Sequence, residues 1–362
     1  MAEFQVDRQD PTQSRIVETE PRELAEGEVL LQVDRVALTA NNLTYAVVGE
    51  QIGYWRFFPP SGEEPERWGI IPMWGFADVT ASACEELPLG ERLYGYLPPA
   101  HELILTPTTV SARRLVDGSP HRAELPAAYN SYERVRAPQD SDHTAEHLKA
   151  LLSPLHLTSF ALADSLQSED WYGAERVLIL SASSKTSIGL AYALQAEENA
   201  PPVVGLTSAG NRAFIEALAT YDEVLDYDHA TDLDPDVPTV IVDMAGNRAL
   251  SADLHQHLGE RMRFHVGVGL THWDQAAPAG DDAFAADRAT FFFAPSHIQQ
   301  RMRDWGPAEF AKRSGGFLHE AARRSREWME ITPAEGIEQL AALYPDLAAG
   351  LLSPQQGVII RL

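Results

Sequence analysis

The sequence predicts an α/β fold in which a doubly wound parallel sheet accompanies a separate β-rich part. Between residues 177 and 269, short apolar runs alternate with helical segments, and this alternation is typical of parallel strands connected by helices. Before residue 110, short strands and turns dominate instead. A chain of 362 residues has enough material for one or two domains of this kind.

The β-rich part begins with residues 27–38, where apolar and polar side chains alternate as in a half-buried strand. Further strands are expected over residues 70–79, 89–98 and 102–105, with a proline and a glycine breaking the first of them. Residues 111–140 contain three prolines and show no regular period. This part is therefore expected to consist of short strands joined by turns.

An aromatic segment separates the first two of these strands. Residues 49–60 carry Tyr54, Trp55, Phe57 and Phe58 between glycine and proline residues. So many aromatic side chains in a bounded loop are typical of a pocket wall or an interface. A small satellite core beneath the loop explains them equally well.

Helical patterning begins in residues 145–152 and 157–166, so a domain boundary is expected near residue 150. After the predicted parallel sheet, helical patterning returns in residues 308–330 and 337–343. Residues 357–362 predict a terminal strand that has no partner nearby in sequence. This strand is therefore expected to return to the sheet of the β-rich part.

A strand, a polar turn and a helix follow one another from residue 177 to residue 195. Residues 177–180 are apolar, as in a strand buried on both faces, and residues 181–187 are small or polar. The helix over residues 188–195 offers free N–H groups and a positive dipole end to a pyrophosphate. Serines stand near the glycine positions of the Gly-x-Gly-x-x-Gly pattern, and Lys185 can add a charge. An ordinary buried strand–turn–helix unit is the alternative interpretation. The candidate cofactor residues in this turn are Ser181, Ser183, Ser184, Lys185 and Thr186.

Four further strands are expected over residues 203–206, 224–227, 239–246 and 264–269. In doubly wound sheets, ligands bind at the carboxyl ends of the strands. The candidate cofactor residues at these ends are Thr207, Ser208, Asn211, Arg212, Met244, Ala245, Gly267, Val268 and Gly269.

The end of the second of these strands predicts the type of cofactor. An NAD site usually has Asp or Glu there to hold the ribose 2′-hydroxyl. This chain has Thr207 and Ser208 instead, followed by Arg212. Hydroxyls and a guanidinium can donate to a 2′-phosphate, so NADP(H) is predicted in preference to NAD(H). For Arg212, a solvated helix position is the alternative interpretation.

Composition excludes several classes of partner. The formal net charge is −25, from 53 acidic and 28 basic residues, and it opposes binding to nucleic acid or to an anionic membrane. No run approaches the roughly 20 apolar residues of a membrane span. Residues 1–10 are charged and lack an apolar core, so no signal peptide is expected and a cytoplasmic location is predicted.

Few residues favour a metal site. Cys84 is the only cysteine, which excludes an intrachain disulfide and a cysteine-based zinc site. His255 and His257 lie two positions apart in a helical stretch and thus on different faces, so both are expected at the surface. No metal ligands are predicted.

The order of these segments resembles that of the medium-chain dehydrogenase/reductase superfamily, in the style of its zinc-free quinone and enoyl reductases. Residues 27–38 resemble its opening strand and residues 89–95 its Gly-Asp-Arg-Val segment, while residues 177–191 stand in place of its Gly-rich cofactor turn. Residues 264–269 and 292–296 resemble its late nicotinamide-facing strand and the segment after it.

Within that superfamily, the chain is identified as similar to the bacterial DUF2855 family, on the Ser-Ala-Ser-Ser-Lys-Thr turn at residues 181–186 and the segment at residues 42–47. Two features depart from the superfamily pattern. No cysteine or histidine ligands stand where its zinc enzymes have them, and the cofactor turn lacks its glycines.

The resemblance implies a GroES-like catalytic domain over residues 1–150, to which residues 311–362 return. It also implies a Rossmann nucleotide-binding domain over residues 151–310, a cofactor cleft between the domains, and a homodimer. Phe293 and Ala294 are further candidate cofactor residues on this ground.

The expected function is that of an NADP(H)-dependent, zinc-independent oxidoreductase that reduces an activated alkene or carbonyl of a small molecule. Tyr45 and Tyr54 are the candidate proton donors, because enoyl reductases carry a tyrosine in this region, although a structural role for either is equally open. Asn42 is a candidate for orienting a substrate carbonyl. A nucleotide-binding protein of the same fold without turnover, or a lyase-type enzyme, is the alternative.

Overall fold

The computed structural model describes residues 1–138, 142–268 and 287–362. The chain forms two compact units. Unit 1 comprises Met1–Leu151 and Trp328–Leu362, and unit 2 comprises Leu152–Glu327. No helix in the described part of the chain is long and apolar enough to cross a membrane.

The strands are β1 Ala2–Asp7, β2 Ser14–Glu18, β3 Val29–Leu38, β4 Trp68–Gly69, β5 Met73–Ser82, β6 Arg92–Leu97, β7 Glu102–Leu105, β8 Pro107–Val110, β9 Arg114–Asp117, β10 Ser131–Val135, β11 Arg176–Leu180, β12 Val203–Thr207, β13 Glu223–Asp226, β14 Thr239–Asp243, β15 Met262–Gly267, β16 Ala289–Phe291, β17 Glu330–Glu335 and β18 Gln356–Arg361. The helices are α1 Ala40–Val47, α2 Gly49–Ile52, α3 Thr144–Ser168, α4 Lys185–Gln195, α5 Ala209–Leu218, α6 Arg248–Leu258, α7 Ala294–Asp304, α8 Pro307–Ser325 and α9 Gly336–Ala348.

Unit 1 is built on a nine-stranded sheet with the order β17-β18-β3-β5-β6-β10-β9-β8, in which β7 also pairs with β3. Strands β2, β1 and β4 form a smaller sheet of their own. The terminal strand β18 pairs antiparallel with β3, where Ile360 lies opposite Val36. The last residues of the chain therefore complete the sheet that its first part begins.

One glycine allows two central strands of unit 1 to approach closely. The sequence suggested a break at Gly75, but β5 runs through it and pairs with both β3 and β6. A Cβ atom at this position would lie 2.1 Å from the backbone oxygen of Arg35 on β3. Gly75 thus permits the pairing and does not interrupt the strand.

Several strands of unit 1 lie where the sequence showed no strand pattern. Strand β1 occupies the charged N-terminal segment, yet Phe4 and Val6 are fully buried. Strands β9 and β10 lie within the segment expected to be irregular, and β17 follows a predicted helix. Short strands such as these are stabilised by pairing with other strands more than by their own residues, so local pattern predicts them poorly.

The aromatic segment is part of the interior of unit 1. It forms the short helix α2 and a 3₁₀ turn over Tyr54–Arg56, and not the loop expected from the sequence. The side chains of Tyr54, Trp55, Phe57 and Phe58 are all buried. Of the two interpretations left open by the sequence, the satellite core describes this segment.

Unit 2 contains a parallel sheet with the order β13-β12-β11-β14-β15-β16. Numbered along the sheet's own strands, this order is 3-2-1-4-5-6, that of a Rossmann fold. Val177 and Ile179 of β11 pack into one hydrophobic cluster, and Leu178 and Leu180 into another. The predicted strand buried on both faces is confirmed.

The helical connections differ from the sequence pattern in two places. Helix α3 is continuous through Pro154, where two separate helices were expected. It buries Leu151 and Leu155 on either side of the proline, so packing outweighs the local cost of that residue. The chain leaves unit 2 after Glu327, later than the expected residue 311, because helix α8 belongs to unit 2.

Candidate functional site

The serine-rich turn connects the central strand β11 to helix α4. Ser181 adopts a left-handed backbone conformation with φ of 59°, a conformation that glycine usually supplies. Ser184 is the N-cap of α4, and its hydroxyl oxygen accepts a hydrogen bond from the Ser187 N–H at 3.1 Å. The helix begins at Lys185, three residues earlier than the pattern suggested, and its N-terminal dipole end lies in this turn.

The start of α4 rests on helix α3. The Ser159 hydroxyl donates to the backbone oxygen of Thr186 at 2.7 Å. A Cβ atom on Gly189 would lie 2.5 Å from the His156 ring, so the two helices meet at this glycine. Burial lowers the pKa of the Lys185 ammonium to about 8. These contacts hold the turn in place and leave Lys185 a cation that titrates close to physiological pH.

The end of β12 lies beside this turn. The Asn211 amide on α5 donates to the Ser183 hydroxyl at 3.1 Å, so two of the predicted cofactor segments meet. Thr207 is fully buried, and its hydroxyl has no hydrogen-bond partner within the described parts of the chain. Ser208 is exposed at the N-cap of α5 and makes no capping hydrogen bond. Two hydroxyls at this strand end are thus not used by the fold.

Arg212 has carboxylate neighbours. Its Nε donates to Glu216 Oε1 at 2.8 Å, and its Nη1 lies 3.6 Å from Asp226 Oδ2. Asp226 ends β13 and also pairs with His229, whose hydrogen bond lowers the pKa of the Asp226 carboxyl. The acid that the sequence lacks at the end of β12 is therefore present at the end of β13. Sequence reasoning placed Asp226 in a strand but did not connect it with Arg212.

The turn after β14 is organised by Asp243. Its Oδ1 accepts the backbone N–H groups of Ala245 at 2.7 Å and Gly246 at 2.9 Å, while its Oδ2 accepts the Ser251 hydroxyl at 3.2 Å. Met244 and Ala245 are both buried in this turn. Asp243 was not among the predicted site residues, although its place before a small-residue turn was a usable signal.

Two histidines near this turn correct the sequence analysis. His255 and His257 were expected at the surface, but both are partly buried. His255 Nε2 lies 2.9 Å from His265 Nδ1, and His257 Nε2 lies 2.7 Å from the Leu233 backbone oxygen. Burial and the neighbouring His265 lower the pKa of His255 to about 4, so it is neutral at physiological pH. Their burial follows from α6 packing on the sheet.

The remaining cofactor candidates lie at the ends of β15 and β16. The Val268 N–H donates to the Asp243 backbone oxygen at 2.8 Å, and the Phe292 N–H donates to the Gly267 oxygen at 2.8 Å. Phe293 is the N-cap of α7, and Ala294 is its first residue. Gly269 lies outside the described residues.

The three candidate catalytic residues lie in unit 1. The Asn42 side chain accepts the Thr39 N–H at 2.7 Å and donates to the Pro72 oxygen at 3.0 Å. The Thr39 bond caps helix α1, and the Pro72 bond uses one of the two N–H groups of the Asn42 amide. The role of Asn42 in orienting a substrate carbonyl stays a prediction and would depend on the second N–H group.

Tyr45 and Tyr54 lie together in a buried aromatic cluster. Their ring centroids are 4.5 Å apart. The Tyr54 hydroxyl lies 3.0 Å from the Tyr129 hydroxyl, and the Tyr45 hydroxyl accepts a hydrogen bond from Trp74 Nε1 at 3.3 Å. Burial raises the pKa of both tyrosines, so both hydroxyls keep their protons at physiological pH. Each tyrosine therefore carries a proton that it can donate, and each hydroxyl already lies within hydrogen-bond distance of another side chain.

The described residues contain no group of three or more histidine, cysteine, aspartate or glutamate side chains that could hold a metal ion. The Cys84 thiol lies in unit 1 and donates to a Glu86 carboxylate oxygen at 3.3 Å.

Comparison with solved structures shows which class of fold this is. CurA from Vibrio vulnificus, in complex with NADPH, superposes on this protein with a TM-score of 0.64 at 14% identity. The alignment covers 96% of this chain and 94% of CurA. Mycobacterial Rv1454c, complexed with NADPH, has a TM-score of 0.59 at 14% identity over 100% of both chains. The quinone oxidoreductase of Thermus thermophilus, solved also with NADPH, has a TM-score of 0.54 at 16% identity over 100% of both chains. The predicted α/β fold, with a parallel sheet and a β-rich sheet, is confirmed.

The family follows from the sequence itself. Residues 36–353 match the profile of DUF2855, which is described as a family of proteins of unknown function. Because the match covers most of the chain, the protein belongs to this family, and the predicted resemblance is confirmed. No curated protein matches the sequence significantly.

Proposed function

We propose that the protein is an NADP(H)-dependent, zinc-independent oxidoreductase that reduces an activated alkene or carbonyl of a small organic substrate. The observation that carries the proposal is the position of the serine-rich turn. In the strand order of unit 2, the crevice where the order reverses lies between β11 and β14. The turn of residues 181–187 and the Met244–Ala245 turn follow these two strands.

The residues at this edge suit a dinucleotide. The N-terminus of α4 and the Ser183, Ser184 and Thr186 region offer N–H and hydroxyl donors for a pyrophosphate. Ser208 and the buried Thr207 hydroxyl, which has no partner among the described residues, supply further donors at the end of β12. Ser181 already adopts the conformation that a glycine takes in such turns. The altered sequence of this turn is therefore compatible with cofactor binding.

Arg212 and Lys185 are proposed to favour NADP(H). A 2′-phosphate near the end of β12 would exchange the Glu216 and Asp226 neighbours of Arg212 for a bidentate phosphate contact. The Asp226 carboxylate opposes this exchange. Binding of NADPH is supported by the structural neighbours that were crystallised with it. We propose Met244, Ala245, Gly267, Val268, Phe293 and Ala294 as further cofactor contacts, from their place at or after the strand ends.

When bound, NADPH supplies a hydride to the electrophilic carbon of the substrate. A protein hydroxyl then delivers a proton to the carbon or oxygen that has gained the electron pair. Tyr54 is the first candidate for this step, and its hydroxyl lies 3.0 Å from that of Tyr129. A proton from solvent water must restore the hydroxyl after each turnover. Tyr45 is the second candidate.

A cofactor titration and a substrate screen test the proposal together. Purified protein should bind NADPH at least tenfold more tightly than NADH, as measured by calorimetry. It should also oxidise NADPH, followed at 340 nm, with at least one member of a panel of enones, quinones and aldehydes. Binding of NADH equal to or tighter than that of NADPH would reject the cofactor assignment.

One observation favours a second candidate, a nucleotide-binding protein without redox turnover. The hydroxyls of Tyr45 and Tyr54 are buried and already paired with other side chains of unit 1. Tight NADPH binding without oxidation by any member of the panel would support this candidate over the reductase.

We propose zinc independence from the single cysteine and from the absence of the superfamily's ligands in the sequence. Activity should survive exhaustive dialysis against a chelator, and stoichiometric zinc whose removal abolishes activity would contradict this. A homodimer is proposed from the family resemblance, and sedimentation of the purified protein tests it. A cytoplasmic location is proposed from the sequence, in which no apolar run approaches the length of a membrane span.

A further inference from the structure

A cavity lies in unit 2 among helices α3, α4 and α8. Its volume is about 790 Å³, within the range of small-molecule sites. Tyr192 and Gln195, from the C-terminal half of α4, line it, whereas the serine-rich turn lies at the start of that helix. Lys185 and Tyr192 are separated by roughly 10 Å along the helix axis, at 1.5 Å per residue. The cavity is therefore separate from the proposed cofactor turn.

The walls of this cavity, which we call the α8 cavity, include four aromatic side chains among alanines and charged or amide side chains. Phe160, Tyr192, Trp305 and Phe317 line it, and the apolar Ala321 on α8 is buried beside them. The rings of Phe160 and Phe317 lie 5.8 Å apart between centroids. Such walls favour a flat, apolar ligand that can stack against them.

The acidic residues of the α8 cavity have partners of their own. Asp164 accepts from His297 at 2.6 Å and from Arg301 at 2.5 Å. Glu320 pairs with Arg323 at 2.6 Å. The third, Glu197, accepts a hydrogen bond from Gln167 at 2.6 Å. Each of these carboxylates therefore has a hydrogen-bond or ion-pair partner within the protein when no ligand is bound.

Arg324 is the lining arginine that forms no ion pair within the described residues, although it lies close enough to Glu320, four residues earlier on α8, to help Arg323 lower the pKa of that carboxyl. Its guanidinium stacks on the Tyr192 ring at 3.8 Å, and its Nη2 donates to Gln195 Oε1 at 2.8 Å. No carboxylate of the described residues lies within 4.0 Å of it, whereas Arg313, also in the lining, pairs with Glu309 at 2.7 Å. A stacked, positioned guanidinium beside an aromatic cavity is suited to bind a planar carboxylate with two hydrogen bonds.

We propose that the α8 cavity binds a small aromatic carboxylate, with the ring system against Phe160 and Phe317 and the carboxylate on Arg324. The strongly negative chain makes an anion a poor ligand elsewhere on its surface, so affinity here depends on the local guanidinium. The proposal does not depend on the function proposed above for the cofactor turn.

Calorimetric titration with 2-naphthoate tests the proposal. We expect saturable binding of one molecule per chain, and a loss of at least tenfold in affinity in Arg324→Gln. Arg326→Gln is the matched control, because Arg326 is exposed at the end of the same helix and does not line the cavity. Its affinity should stay within twofold of the wild type. Absence of saturable binding, or an equal loss in both variants, would overturn the proposal.

A second measurement uses the wild-type protein alone. The neutral analogue 2-naphthalenemethanol has the same ring system without the charge, so it should bind at least tenfold more weakly than 2-naphthoate. Saturating NADPH should leave 2-naphthoate binding within twofold. Equal affinity for the neutral analogue would reject the role of Arg324, and displacement by NADPH would reject the α8 cavity as the site.

Discussion

Two polar clusters of this molecule differ in how their groups are satisfied. In unit 1, the buried Arg92 guanidinium donates to Glu146 at 2.7 and 2.8 Å, to Asp34 at 2.6 Å and to Asp78 at 2.7 Å. At the strand ends of unit 2, the buried Thr207 hydroxyl has no partner in the described chain. Because buried polar groups are nearly always paired, the first cluster is complete as part of the fold. Other buried atoms, such as the Tyr96 hydroxyl of unit 1, also lack a partner in the described chain, so it is the place of Thr207 at the strand ends that suits it to a ligand.

The comparison also separates the candidate site residues. Asn42 and the two tyrosines resemble the Arg92 cluster, since their polar atoms are bonded within unit 1. By residue type and position in the sequence alone, these residues and the serines of the turn are equally good candidates for a functional role. Because the oxygens of Asn42 and the two tyrosines are bonded within the fold, the catalytic assignment is weaker than the cofactor assignment.

The largest effect is expected from breaking the complete cluster. Arg92→Met removes the cation that bonds both carboxylate oxygens of Glu146 and one of Asp34, and breaking a buried pair in this way costs about 3–5 kcal/mol. Asp34 keeps its bond from Arg35. Urea denaturation should show this loss in the free energy of unfolding. Arg22→Met, at an exposed pair with Glu28, is the control and should cost about 1 kcal/mol or less. Similar losses in both variants would contradict the structural role of Arg92.

The same cluster predicts how stability depends on pH. Burial alone would raise the pKa of Asp34 and Glu146, but hydrogen bonds from Arg35 and Arg92 to Asp34 and from Arg92 and His143 to Glu146 outweigh it and hold both pKa values below normal. Their contribution is therefore present above the unfolded pKa of about 4 and is lost as pH falls through the lowered values. Arg92→Met should flatten the decrease of stability between pH 5 and 3.

The next effect concerns turnover and tests whether a paired tyrosine can still be catalytic. If Tyr54 donates the proton, Tyr54→Phe should lower kcat about 10²-fold with little change in KM for NADPH. Tyr94→Phe is the control, because Tyr94 lies in the same aromatic cluster and its hydroxyl donates to the Lys149 backbone oxygen. Normal turnover in both Tyr54→Phe and Tyr45→Phe would assign the proton to water or another group.

A smaller effect concerns the choice of cofactor. Arg212→Ala should weaken NADPH binding about tenfold and NADH binding less than twofold, because only NADPH carries the 2′-phosphate. Asp226→Asn should act in the opposite direction, since it removes a carboxylate 3.6 Å from the Arg212 guanidinium. Calorimetric titration with both cofactors measures each change. An equal effect of Arg212→Ala on both cofactors would place Arg212 outside the phosphate contact.

Local sequence pattern was sufficient for the parallel sheet, because strands such as β11 are continuous apolar runs with helices between them. It was insufficient for the short strands β1, β9, β10 and β17, because their pairing is not visible in the local pattern; β1, for example, also pairs with β4, and β10 with β6. For the site, serine and threonine positions were visible, but the partners of their side chains were not. The contact of Arg212 with Asp226 depends on the sheet order that brings β12 beside β13.

The smallest effect concerns Lys185, the cation of the serine-rich turn. It tests whether the strand ends of unit 2, unlike the Arg92 cluster, bind a ligand. Burial lowers the pKa of its ammonium to about 8, and a bound phosphate would favour the charged form. NADPH affinity should therefore be constant below about pH 7 and decrease by about threefold to fivefold in total as the pH rises through 8, because the lysine loses its proton. Lys185→Met should weaken binding about threefold to fivefold at pH 7 and abolish this decrease, whereas Lys312→Met, at an exposed position of α8, should change neither. A decrease that persists unchanged in Lys185→Met would mean that another group controls the pH dependence, and Lys185 would then be excluded as a phosphate ligand.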